Sequence, residues 1–154
     1  MAKRLRIGDV VEIPTRTGLF YAQYTHSNAE YGALIRVLEG AFTQRPTDIQ
    51  SLGLSPTRYV LFCFLQSAVN RGVWKVIGNC PVPDFSQHFP LFRSGMADPQ
   101  TGVVKEWWLW DGNTSWKVGE LSKEQSSLPE RGIWTEALLI DRLEEEWNPG
   151  ASDH

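Results

Sequence analysis

The sequence predicts an α+β fold that is mainly β: a strongly bent antiparallel sheet with an added β-hairpin and a C-terminal amphipathic helix. Three observations carry this. Short strand-like runs separated by Gly, Pro, Asn and Ser fill the first third of the chain. Residues Trp107 to Val118 place two strand-like arms around Asp111-Gly112-Asn113. After Lys123 the apolar spacing changes to three and four, as a helix requires.

The first strand is expected at Asp9 to Ile13 and ends at Pro14, which cannot donate to a ladder. Thr15-Arg16-Thr17-Gly18 reads as a turn, and Leu19 to Thr25 as the second strand. His26 to Glu30 is a polar connection leading to a third strand at Ala33 to Leu38. Three antiparallel strands on short loops make a strongly bent sheet, or, closed further, a small SH3-like barrel. Residues 40 to 58, with Gly40, Pro46, Gly53 and Pro56, read as a loop with one short turn of helix. Tyr59 to Leu65 is continuously apolar and short, which predicts a central strand. Gln66 to Arg71 fits a helical turn ended by Gly72, Trp74 to Ile77 a further strand, and Pro81 to Pro90 an extended connection.

In the Trp107 to Val118 hairpin a two-residue turn falls on Asp111-Gly112 or on Gly112-Asn113. Either register puts Trp107, Leu109, Trp116 and Val118 on one face, because side chains alternate along each arm. That face is expected to be core; Trp108 and Trp110 on the other are expected at the surface. In the C-terminal region Ile133, Ala137, Ile140, Leu143 and Trp147 fall on one helical stripe, stopped by Asn148-Pro149-Gly150.

At 154 residues and 42% hydrophobic content the chain fits one domain, 1–154, with an ordered core of about 5–148. Seven tryptophans exceed what such a core needs. The net charge of −3 argues against a phosphate-binding role, which needs clustered Lys and Arg. Residues 119 to 154 carry nine carboxylates against three bases, leaving the rest of the chain positive. This end is therefore a candidate face for a basic partner, although a solvated helix surface explains the same charges. Cys63 and Cys80 imply no disulfide, and neither a signal peptide nor a membrane span is legible, so a cytoplasmic location is expected.

Catalytic and metal signatures are missing from the sequence. His26, His88 and His154 stand alone, and no phosphate-binding glycine loop or nucleophile elbow occurs. Glu144, Glu145 and Glu146 adjoin one another on a terminal helix, where exposed carboxyl groups are poor acid–base catalysts. No enzyme, cofactor or metal is expected.

Gly8-Asp9-Val10-Val11-Glu12-Ile13-Pro14, Gly18 to Tyr24 and Tyr31 to Ile35 are three strand-like runs in a row, followed by Gly72-Val73-Trp74-Lys75-Val76-Ile77-Gly78-Asn79, a Trp-x-x-Ile-Gly-Asn block, and Pro81-Val82-Pro83. Over roughly residues 5 to 95 the chain resembles the immunity protein 26 family of bacterial polymorphic-toxin systems. The resemblance implies a cytoplasmic protein that neutralises a cognate toxin domain by binding it, and it brings no catalytic residue. Asp9, Trp74, Gly78 and Asn79 belong to these motifs and read as framework. The partner-binding residues expected are Trp108, Trp110, Asp141, Glu144, Glu145 and Glu146, facing a protein, with neither nucleic acid nor membrane as partner. The competing reading is a small β-barrel that stacks nucleic-acid bases on exposed aromatics.

Overall fold

The computed structural model describes residues 4–149. Gly150, Asp153 and His154, used above in the helix stop, the charge count and the histidine survey, lie outside the described residues. The chain is mainly β, with two antiparallel sheets and a C-terminal helix. Its contacts gather into two compact units. Among the described residues one comprises 4–88 together with Gly132–Glu146, the other Phe89–Arg131 together with 147–149.

The larger unit holds β1 (Asp9–Thr15), β2 (Gly18–Asn28), β3 (Gly32–Leu38), β4 (Thr57–Cys63) and β5 (Lys75–Asn79), in the spatial order β4-β3-β2-β1-β5. Its helices are α1 (Ile49–Leu52), α2 (Leu65–Asn70) and α3 (Glu136–Glu144). β4 and β5 do not pair, so the sheet is open and the barrel alternative is not realised. Register shifts at Val10/Val11, Tyr24/His26 and Val37/Leu38 supply the local bends instead.

Consecutive residues are buried along the inner strands: Val10, Val11, Glu12 and Ile13 in β1, Phe20 to Gln23 in β2, Leu34 to Leu38 in β3. A sheet reads this way when both faces are covered. On one face Val10, Tyr21 and Leu38 pack with Leu52, Cys80, Phe42 and Ile49. The opposite face carries Val11, Ala22, Val37 and Tyr59 in register. There the Tyr59 hydroxyl donates to the Arg142 carbonyl oxygen at 3.3 Å, which seats α3. The first face also buries a polar row. Arg36 donates to Gln23 Oε1 (2.8 Å), to the Ser55 carbonyl (2.9 Å), to Thr57 Oγ1 (3.2 Å) and to the Gly53 carbonyl. Gln23 in turn donates to the Cys80 carbonyl at 2.9 Å.

Several expectations are corrected here. β4 is an edge strand, not a central one; its continuous apolar run arises because the segment at Ile133 and Trp134 closes that edge, with the Trp134 amide donating to the Phe62 carbonyl at 2.8 Å. β2 continues through His26 to Asn28, and the turn begins after it. Gly78 has no left-handed φ; it is small because a Cβ there would lie 3.1 Å from Ile49 Cγ2. On α3 the buried stripe is Leu139 and Leu143, while Ala137 is exposed and Ile140 half-buried; Ile133 precedes the helix and is exposed. The helix ends at Glu144, before Trp147.

The smaller unit is a three-stranded sheet of β6 (Phe92–Ala97), β7 (Val104–Trp110) and β8 (Ser115–Gly119), in that order. The β7–β8 hairpin is present, but its loop has four residues rather than two. Trp110 pairs with Ser115, and Asp111 Oδ1 accepts from the amides of Asn113 and Thr114 at 2.9 and 2.8 Å. The expected pairing of faces holds for Leu109 with Trp116 and for Trp108 and Trp110 with Lys117 and Ser115, but a register shift leaves Val118 without a partner; Leu109 is buried and Trp108 exposed as expected, whereas Trp110 and Trp116 reverse their expected burial. Trp110 is buried, 3% exposed, and Trp116 is 39% exposed. Trp110 has β6 beside it: Phe92 is its ladder partner, and Phe89 and Phe92 lie 5.7 and 5.4 Å from its ring. Trp116 sits on the outermost strand.

Candidate partner-binding surface

Helix α3 owes its position to its ends as much as to its apolar residues. Thr135 Oγ1 accepts from the Leu138 amide at 3.1 Å, an N-cap that satisfies one of the free first-turn donors. Glu136 in that turn pairs with Arg71. Glu146 adopts a φ of 56°, a left-handed conformation that ends the helix without a glycine. With Leu139 and Leu143 turned to the sheet, helical geometry sends Ala137, Ile140, Asp141 and Glu144 to a different side.

That side borders the β1–β2 turn. Pro14, Thr15, Arg16, Ala137, Ile140, Asp141 and Glu144 line a shallow hollow of about 520 Å³. Next to it Arg16, Thr17, Asp141, Glu144 and Glu145 line another of about 420 Å³. Pro14, Ala137 and Ile140 make an apolar floor, and carboxylates form the rim.

The four acidic residues expected at a partner surface are not equivalent. Glu144 accepts from the Arg16 backbone amide at 2.7 Å and from Arg16 Nη2 at 3.0 Å. Those bonds hold its carboxyl below the usual range and hold the Arg16 guanidinium protonated. Glu144 thus ties the turn to the helix and anchors the surface. Asp141, Glu145 and Glu146 are exposed. Asp141 and Glu145 line the hollows with a single cation, Arg16, which Glu144 already engages; Glu146 lies outside both.

Trp108 and Trp110 belong to the smaller unit. Trp108 is 42% exposed, as expected of a contact residue. Trp110 is removed from the candidates: it is enclosed by Phe89 and Phe92, and the Arg131 guanidinium lies 4.3 Å from its ring centroid. The residues that sequence reasoning missed are Pro14, Arg16, Ala137 and Ile140. The apolar spacing of Ala137 and Ile140 was visible, but it was assigned to the core.

Of the motif residues, Asp9 and Asn79 behave as framework. Asn79 Nδ2 donates to Asp9 Oδ1 at 2.9 Å and to the Ile7 carbonyl at 3.1 Å, while the Arg6 amide donates to Asp9 Oδ2 at 2.9 Å. Gly8 between them has φ +97°, and a Cβ on it would come within 2.6 Å of the Cys80 carbonyl oxygen. His26 is satisfied on both ring nitrogens, by Thr25 Oγ1 at 2.9 Å and the Gln87 carbonyl at 2.8 Å. Among the described residues no group of three or more His, Cys, Asp or Glu side chains is placed to hold a metal ion. No helix of the described residues is long and apolar enough to cross a membrane. Searches of family models, of curated proteins and of solved structures find no match to the chain.

Proposed function

We propose that this is an immunity protein of the cytoplasm that binds a cognate bacterial toxin domain, of nuclease type, and neutralises it by occupying its surface. The observation that carries the reading is the outward side of α3, where an apolar floor of Pro14, Ala137 and Ile140 is rimmed by Asp141 and Glu145. Such a surface suits a basic protein segment whose aliphatic stems cover the floor while its cations meet the rim. Nuclease domains, which must hold phosphate, carry surfaces of that sign. The resemblance of residues 5 to 95 to the immunity protein 26 family supports the same reading.

The test is protection of cells producing the co-encoded toxin in their cytoplasm. Protection is expected from the wild-type protein and weakened in the triple reversal Asp141→Lys, Glu145→Lys, Glu146→Lys, with slower association and a flatter dependence on salt. Protection obtained only after export to the periplasm refutes the location; association kinetics of the triple variant equal to wild type at low salt remove α3 from the interface. The alternative, a nucleic-acid-binding module, draws on Trp108 beside Lys117 on one face of β7–β8. The Lys117 charge is already met by Glu106 at 2.7 Å, so that reading has less support.

A further inference from the structure

The sheet of the larger unit ends differently on its two sides. At β4 the segment through Ile133 and Trp134 lies alongside and takes up backbone bonds. At β5 the only strand neighbour is β1, and among the described residues no other backbone group bonds to residues 75–78. An edge strand presents alternate N–H and C=O groups outward, which is the pattern an extended chain reads.

Beside this edge is a hollow of about 520 Å³ lined by Val69, Gly72, Trp74, Lys75, Val76, Ile77 and Gly78. Trp74 is only 1% exposed, yet its Nε1–H has no acceptor. Buried donors are rarely left so, and filling the core does not require an indole N–H. Lys75 adds a cation at the same place. Glu12, opposite it in the ladder, is already held by Arg45 at 2.7 Å, and among the described residues Lys75 forms no ion pair.

We propose that β5 and the Trp74 hollow form a docking site for an extended, acidic segment of another protein. Its backbone pairs with the free edge of β5, and one carboxylate accepts from Trp74 Nε1–H within reach of the Lys75 charge. The register shift at Val10/Val11 leaves Ile77 without a partner on β1 and kinks the edge there. Together with the lysine, this kink blunts the edge against unlimited strand addition, so the site takes a short segment anchored by a side chain. The proposal is independent of the toxin-binding face on α3.

The probe is a phage-displayed library of random eight-residue peptides selected on the intact protein. The expected result is enrichment of sequences with Asp or Glu at one fixed position among β-branched residues. A synthetic peptide of that sequence should shift the Trp74 indole N–H resonance and slow amide exchange at Lys75–Ile77. Replacing its acidic residue by Ala should weaken binding at least about tenfold, the scale of a lost hydrogen bond to a charged group. Trp74→Phe, which keeps an aromatic ring but loses the five-membered ring that carries the donor, should do the same; the peptide replacement keeps the test decisive if that variant does not fold. No enrichment, equal binding by the two peptides, or resonance shifts elsewhere would overturn the proposal. So would concentration-dependent self-association abolished by Ile77→Pro, which would assign the edge to a second copy of this chain.

Discussion

Trp110 and Trp116 stand six residues apart across the hairpin loop, and the structure assigns them opposite fates. Trp110 is closed in by Phe89 edge-on at 88°, by Phe92 tilted at 53°, and by the Arg131 guanidinium. Truncating a buried Trp to Ala costs about 3–5 kcal/mol through lost transfer energy and the cavity left behind. The two aromatic pairs contribute about 0.5–1.5 kcal/mol each beyond burial, which places this site in the upper half of that range. With a urea slope of about 2 kcal/mol per M for a small protein, Trp110→Ala should lower the midpoint by about 2 M. Trp116→Ala removes a ring 39% exposed on the edge strand and should cost about 1 kcal/mol or less. Urea denaturation followed by circular dichroism, with amide exchange of β6 and β7 as the local readout, measures both. Equal costs, or a larger one for Trp116, would refute the burial order and restore the alternation-only assignment.

Arg36→Leu should destabilise by about 3–5 kcal/mol in the same denaturation assay. It strands the Gly53 and Ser55 carbonyls and Gln23 Oε1 in the core, and Arg36→Lys should fall between because one ammonium cannot span those acceptors. Glu12 is held below its ordinary value of 4.5 by hydrogen bonding from Arg45, against the opposing effect of burial and with help from the Tyr21 hydroxyl. A depressed folded-state value means that its contribution is present above pH 4.5 and is lost as pH falls through the folded value. The stability gap between wild type and Glu12→Gln, measured by thermal melts from pH 7 to pH 3, should therefore close on acidification; a gap that widens would contradict the ion pair.

What the sequence made legible was the existence of elements, because turn residues and strand runs are local. Gly18 and Gly72 adopt left-handed φ, as residues at a turn and a helix end must, and β1, β3 and the hairpin arms lie close to where the pattern places them. Coverage was not legible, because it depends on partners distant in the chain. β4 reads as central since Ile133 and Trp134 flank it from some 70 residues away. β6 was missed because Arg93-Ser94-Gly95 interrupts any apolar run; Gly95 is required by Val104 and Trp107, whose atoms come within 3 Å of where its Cβ would be. Trp110 and Trp116 differ only by what β6 and Phe89 bring, which no alternation rule contains.

The same limitation explains why the candidate surface was half visible. A helix with two apolar stripes offers periodicity no basis for choosing which stripe faces inward: Ala137 and Ile140 match the three- and four-residue spacing as well as Leu139 and Leu143 do. Packing decides: it buries Leu139 and Leu143, and leaves Ala137 exposed and Ile140 half-buried beside Asp141. The carboxylates at the helix C-terminus oppose its dipole, so the helix itself gives no reason for them. Glu144 acquires one through Arg16, which converts an unfavourable position into the bond that fixes the β1–β2 turn. Asp141, Glu145 and Glu146 have no such bond among the described residues. Asp141 gains only the longer-range attraction of the Arg16 charge, and all three stand at the helix end that disfavours them, beside an apolar floor that water covers at a further cost. The docking of a basic chain proposed above would relieve both.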